Sequence, residues 1–232
     1  MKCRFVFGTL GIFLAIVGTT TPAESAKDQE ASKAALQQLH EFIGQWKGEG
    51  QTKSGKSEEW KEGMNWGWRF KGGEAWMMVE FENDKTLGKG DLKFIPDKKI
   101  FRLTATDAKK NEVVFEGVFK GKQLVLSRVD DETKDKYIIT MSTNNDGARF
   151  IYKYEYQAKG KGLEKPLFMV THKKEGASLT GGKKNECVVS GGLGTTPVTY
   201  NGKTYYVCCS GCAEAFRENP KKFVDEFEKK KK

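Results

Sequence analysis

The sequence predicts a mainly β protein, a closed antiparallel β-barrel followed by a small α+β module that carries almost all the cysteine. Three observations lead there. Period-two alternation of aromatic and β-branched residues recurs from Ile43 to about Lys174. Turn-forming residues interrupt it at short intervals, with no βα alternation. Finally, four of the five cysteines, Cys187, Cys208, Cys209 and Cys212, fall within residues 187–228.

The elements follow in chain order. Lys2 and Arg4 give a positive start, Phe5 to Val17 form a short apolar stretch, and small residues then allow cleavage after Ala23 or Ala26. Residues 1–26 therefore read as a signal peptide of an exported bacterial protein; an uncleaved anchor is the alternative. The mature chain is expected in the periplasm or secreted, with no stable membrane insertion after signal cleavage. Removing Lys2, Arg4 and Glu24 lowers the formal charge from +9 to +8. The lysines are scattered apart from a basic tail at 229–232, so the charge reads as solubility, and no nucleic-acid partner is expected.

Residues 27–42 are expected to form a helix, with Leu36, Leu39, Phe42 and Ile43 placed to plug or flank the barrel. The barrel is assigned to 43–174. Met64, Trp66, Trp68 and Phe70 fall on one face of a strand, and Phe150, Tyr152, Tyr154 and Tyr156 on one face of another. Turn signals at Lys71-Gly72-Gly73, Glu82-Asn83-Asp84, Pro96-Asp97, Lys120-Gly121-Lys122, Asp130-Asp131 and 144–147 delimit about ten strands in up-and-down order. Residues 175–186 are small, polar and Gly-rich, and read as a linker.

The segment 187–228 is too short to bury a sufficient core alone, so a metal or disulfides should staple it. Its cysteines are spaced C-x20-C-x3-C, with Cys209 as an extra. Asn201-Gly202 between apolar runs predicts a hairpin that returns the chain toward Cys187. Cys208 ends the second strand, and Gly211-Cys212 opens a helix whose N-terminus favours a thiolate. Asn219-Pro220 starts a further helix. With His40 and His172 the only histidines, cysteine is the expected ligand type. Disulfide pairing is the competing reading for an exported chain.

Cys-Val-Val-Ser-Gly at 187–191, the run from Tyr200 to Cys212, Phe216, and Asn-Pro-Lys-Lys-Phe at 219–223 resemble the YHS/TRASH domains. These are small treble-clef-like modules of metal sensing, trafficking and resistance. The resemblance implies thiolate coordination by Cys187, Cys208 and Cys212, with Cys209 as a further candidate. Family members often carry proline after the first cysteine and a second cysteine three positions along; here those places hold Val188 and Ser190. Three thiolates suit Zn²⁺ with an open fourth position, or Cu⁺ in a trigonal site. Zinc would add on the order of 10 kcal/mol to folding of so small a module.

Gly44-Gln45-Trp46-Lys47-Gly48 resembles the Gly-x-Trp opening of lipocalin-like barrels, and the stretch from about 40 to 175 is similar to lipocalin-like proteins secreted by bacteria. Such a barrel either holds a small apolar ligand or fills itself with side chains. Trp66, Trp68, Phe70, Phe150, Tyr152 and Tyr154 are the candidate wall. Nitrobindin-like barrels share the Gly-x-Trp-x-Gly start and bind haem through a histidine near the chain's end, a place His172 would take. No Gly-x-Ser-x-Gly elbow, phosphate loop or His-Glu-x-x-His helix is present, so catalysis is not expected. Cys209 and Cys212 match C-x-x-C, which leaves a redox pair as a minor alternative. The two functional expectations are metal capture by the cysteines, and a barrel carrying a small molecule with the module purely structural, held by zinc or disulfides.

Overall fold

The structure, a computed structural model, describes residues 22–53, 58–144, 147–162, 165–175 and 185–231, with the backbone alone for 22–25. Ten antiparallel strands close into one barrel: β1 (Gly44–Thr52), β2 (Glu59–Lys71), β3 (Glu74–Glu82), β4 (Leu87–Ile95), β5 (Ile100–Asp107), β6 (Glu112–Lys120), β7 (Gln123–Val129), β8 (Lys136–Asn144), β9 (Arg149–Gln157) and β10 (Lys165–Lys174). Each strand pairs with its sequence neighbour, and β1 pairs with β10 to remove the open edge. The chain is mainly β, as its patterning predicts.

Alternation decides what faces inward. Met64, Trp66 and Trp68 on β2, Phe150, Tyr152 and Tyr154 on β9, and Phe168, Val170 and His172 on β10 are all buried. Trp46, Trp66, Trp68, Phe115, Phe150, Tyr152 and Met77 are among the largest side chains with essentially no exposure, and they belong to one continuous core. Burying a large apolar side chain contributes roughly 2–3 kcal/mol, so this packed interior dominates the stability of the barrel.

Helix α1 spans Pro22–Gln37 and packs against β3 and β4, and a single 3-10 turn follows at His40–Phe42. This differs from the helix expected over 27–42. The helix takes in Pro22 to Ala26, where proline fits a first-turn position, and it stops at Gln37 so that Leu39, Phe42 and Ile43 can turn into the barrel mouth. There Phe42 packs edge-on to Phe150 and Trp66, with ring centroids 4.7 and 5.6 Å away. The Trp46 indole N–H donates to the Phe42 carbonyl at 2.7 Å and ties the plug to β1. Residues 1–21 of the expected signal segment lie outside the described residues.

The C-terminal module comprises β11 (Asn185–Glu186), β12 (Leu193–Gly194), β13 (Thr196–Tyr200), β14 (Lys203–Val207), α2 (Ser210–Glu218) and α3 (Pro220–Lys230). Asn185 and Glu186, expected in the linker, already pair with β12 because Cys187 must be carried into the module. The rest of that linker, 176–184, lies outside the described residues. Lys229 and Lys230, expected in a tail, form the last turn of α3, where positive charge suits the helix C-terminus. Asn219 caps α3 by accepting the Lys222 N–H at 3.2 Å. Among the described residues, no helix is long and apolar enough to cross a membrane.

Candidate metal centre

Two turns bring the sulfurs together. Asn201 and Gly202 both have positive φ, 48° and 74°, as the tight hairpin between β13 and β14 requires. The hairpin delivers Cys208 at the end of β14, and α2 begins two residues later with Cys212 in its first turn. From the other side, Cys187 lies beside β14: it bridges to Tyr206, and the Val188 N–H donates to the Tyr206 carbonyl at 2.9 Å.

The Sγ atoms of Cys187, Cys208 and Cys212 all lie within 4.8 Å of one another. Those of Cys208 and Cys212 are 3.4 Å apart, far from a bonded S–S pair and close to the ~3.8 Å separating two thiolates on one tetrahedral ion. All four cysteines of the module are free thiols in the structure, and these three are buried. The donor set therefore fits a soft cation.

The thiols also act on one another. Hydrogen bonds from Cys208 and Cys212, aided by the Ser190 hydroxyl and N–H, hold the Cys187 thiol well below its ordinary range. The reciprocal effect of Cys187 pushes Cys208 and Cys212 up. A bound cation would have to displace the protons these neighbouring thiols share.

Cys209, expected as a fourth candidate ligand, sits beside this triangle: its Sγ is 3.9 Å from that of Cys208, but the sulfurs that all lie within 4.8 Å of one another are those of Cys187, Cys208 and Cys212. The Cys209 backbone is extended (φ −160°, ψ 172°) just before the first turn of α2. Its sulfur accepts the backbone N–H of Trp68 on β2 at 3.3 Å. This contact docks the module on the barrel, and Gly211 extends it: a Cβ there would lie 1.7 Å from the Trp68 carbonyl oxygen. Gln37 on α1 donates to the Ser190 carbonyl at 3.1 Å and ties the module to the N-terminal helix.

Of the barrel candidates, Trp66, Trp68, Phe150, Tyr152 and His172 are all 0–1% exposed. His172 Nε2 is 3.0 Å from Glu62 Oε1, and the Trp60 indole donates to Glu62 Oε2 at 2.6 Å. The glycines of β1 make this arrangement possible. A Cβ on Gly48 would sit 2.6 Å from the His172 ring, and one on Gly50 2.3 Å from that of Trp60. The sequence reading missed Glu62. The signal available was its parity with Met64 and Trp66, which puts a carboxylate on an apolar face.

Residues 196–226 match the YHS domain. The match takes in Cys208, Cys209 and Cys212, while Cys187 lies ahead of it. No curated protein matches the chain. Among solved structures, the crystal structure of Rv2717c from M. tuberculosis is similar at 15% identity, covering 61% of this chain and 97% of that one with a TM-score of 0.42. The YHS match and the cysteine triangle are together compatible with metal binding.

Proposed function

We propose that this is an exported metal-handling protein whose YHS module captures or sequesters a soft cation, Zn²⁺ or Cu⁺, between Cys187, Cys208 and Cys212. The observation that carries the reading is the meeting of three buried, unbridged sulfurs within 4.8 Å. Thiolates are the ligands such ions prefer. The ion is cargo in this reading, and no chemical turnover is assigned. The start of the chain, with Lys2, Arg4 and the apolar Phe5 to Val17, supports delivery to the periplasm or beyond. Dense packing inside the barrel favours this reading over a small-molecule carrier, since aromatic side chains occupy the space a ligand would need.

Metal analysis and thiol counting on reduced protein test the reading. About one Zn²⁺ or Cu⁺ per chain is expected, lost in the Cys208→Ser, Cys212→Ser double variant. A periplasmic preparation with no free thiols and no metal uptake after reduction would support disulfide staples instead.

A further inference from the structure

We propose that Ser190 sets the coordination number of the cysteine site, and with it the class of ion held: its hydroxyl fills the fourth corner as a hydrogen-bond donor, leaving three sulfurs for a three-coordinate, Cu⁺-class cation. This rests on the metal-capture reading above.

The placement comes from the turn after β11. The Cys187 carbonyl accepts the Gly191 N–H at 2.9 Å, the Cys187 N–H donates to the Gly192 carbonyl at 2.6 Å, and Gly191 adopts a φ of 76°. A turn this tight sets residues 187 and 190 side by side. The Ser190 N–H donates to Cys187 Sγ at 3.4 Å, and its Oγ lies 3.3 Å from Cys208 Sγ. One residue thus touches two of the three sulfurs, and Ser190 is only 4% exposed.

The chemistry of that oxygen decides its role. Its lone pair accepts the Gly192 N–H at 3.4 Å, so its proton is free to point at the neighbouring sulfurs of Cys208 and Cys187. A neutral hydroxyl beside anionic sulfurs keeps that proton, and as a hard donor it is a poor ligand for a soft ion. A tetrahedral Zn²⁺ with three thiolates needs a fourth ligand, usually water. Here that water would have to displace a buried, hydrogen-bonded side chain. A three-coordinate cation makes no such demand.

The test uses the full mature chain, reduced and free of oxygen, titrated separately with Cu⁺ and Zn²⁺ against chromophoric chelators. X-ray absorption at each metal edge counts the neighbours. The parent protein should show three sulfurs and no oxygen around Cu⁺. Ser190→Cys should add a fourth sulfur around Zn²⁺ and tighten Zn²⁺ roughly 100-fold, while Cu⁺ affinity moves less than about tenfold. Ser190→Ala, which keeps the N–H to Cys187, should keep three sulfurs around Cu⁺ and admit a water oxygen to Zn²⁺. An unchanged ratio of the two affinities in Ser190→Cys overturns the assignment. So does an oxygen neighbour of Zn²⁺ in the parent that Ser190→Ala removes. A reduced parent protein that takes up neither ion overturns the capture reading itself, a result distinct from either of these.

Discussion

Asp84, in the turn after β3, accepts with one carboxylate oxygen from the Thr86 N–H at 2.6 Å, the Thr86 hydroxyl at 2.7 Å and the Leu87 N–H at 2.8 Å. Its other oxygen is buried without a partner among the described residues. Burial, followed by the nearby Glu62 carboxylate, pushes its pKa up to about 6 from 3.8. Between those values the folded chain keeps a proton that the unfolded chain releases, so stability falls as pH rises through that window. The loss is on the order of 3 kcal/mol. Asp84→Asn keeps the accepting oxygen and should flatten this trend. Urea unfolding at pH 4 and pH 7 would show the variant gaining over its parent only at the higher pH; an equal gain at both would discard the idea. Residues of this kind were the least legible in the sequence. Alternation located Trp66, Trp68, Phe150 and Tyr152, because apolar burial is a local pattern. Glu62 finds His172 across a separation of 110 residues, and no periodicity announces such a pairing. Ser190 was visible only as a departure from a family pattern; its contact with two sulfurs depends on the folded turn.

At the level of elements, turn and cap chemistry was read correctly wherever it was local. Asn201-Gly202 gives the hairpin, and Asn219-Pro220 gives the cap and first turn of α3. Boundaries set by tertiary packing were read less well. Helix α1 ends where the barrel mouth begins, and β11 exists because a strand partner arrives from Leu193 and Gly194. Gly211 shows the same competition between local and tertiary terms. On helix propensity alone, alanine in α2 would be better by roughly 1 kcal/mol. The Trp68 carbonyl, only 1.7 Å from the position of the added carbon, reverses that sign. Gly211→Ala should lower the melting temperature and speed proteolysis of the C-terminal module. A rise in melting temperature would mean that the module does not lie against β2.

For the whole molecule, closure of the barrel followed from the count and order of the strands, and the cysteine cluster followed from spacing and turns. Which face of the barrel receives the module was not legible, since that depends on where one strand outruns its neighbour. Strand β1 begins at Gly44 opposite Trp66, so β2 from Gly67 to Lys71 has no strand on that side. Cys209 and Gly211 cover the exposed backbone there. The cysteine module is therefore also a lid over a sticky seam, since an uncovered strand flank invites pairing with another molecule. A chain cut after Glu175 should self-associate through this rim. Sedimentation would reveal oligomers of the shortened protein under conditions where the intact chain runs as a single smaller species, and a shortened protein that stayed equally dispersed would show that the barrel seals itself. Losing the cysteine domain would then remove more than the proposed ion site: it would leave a bare strand flank from which aggregation could start.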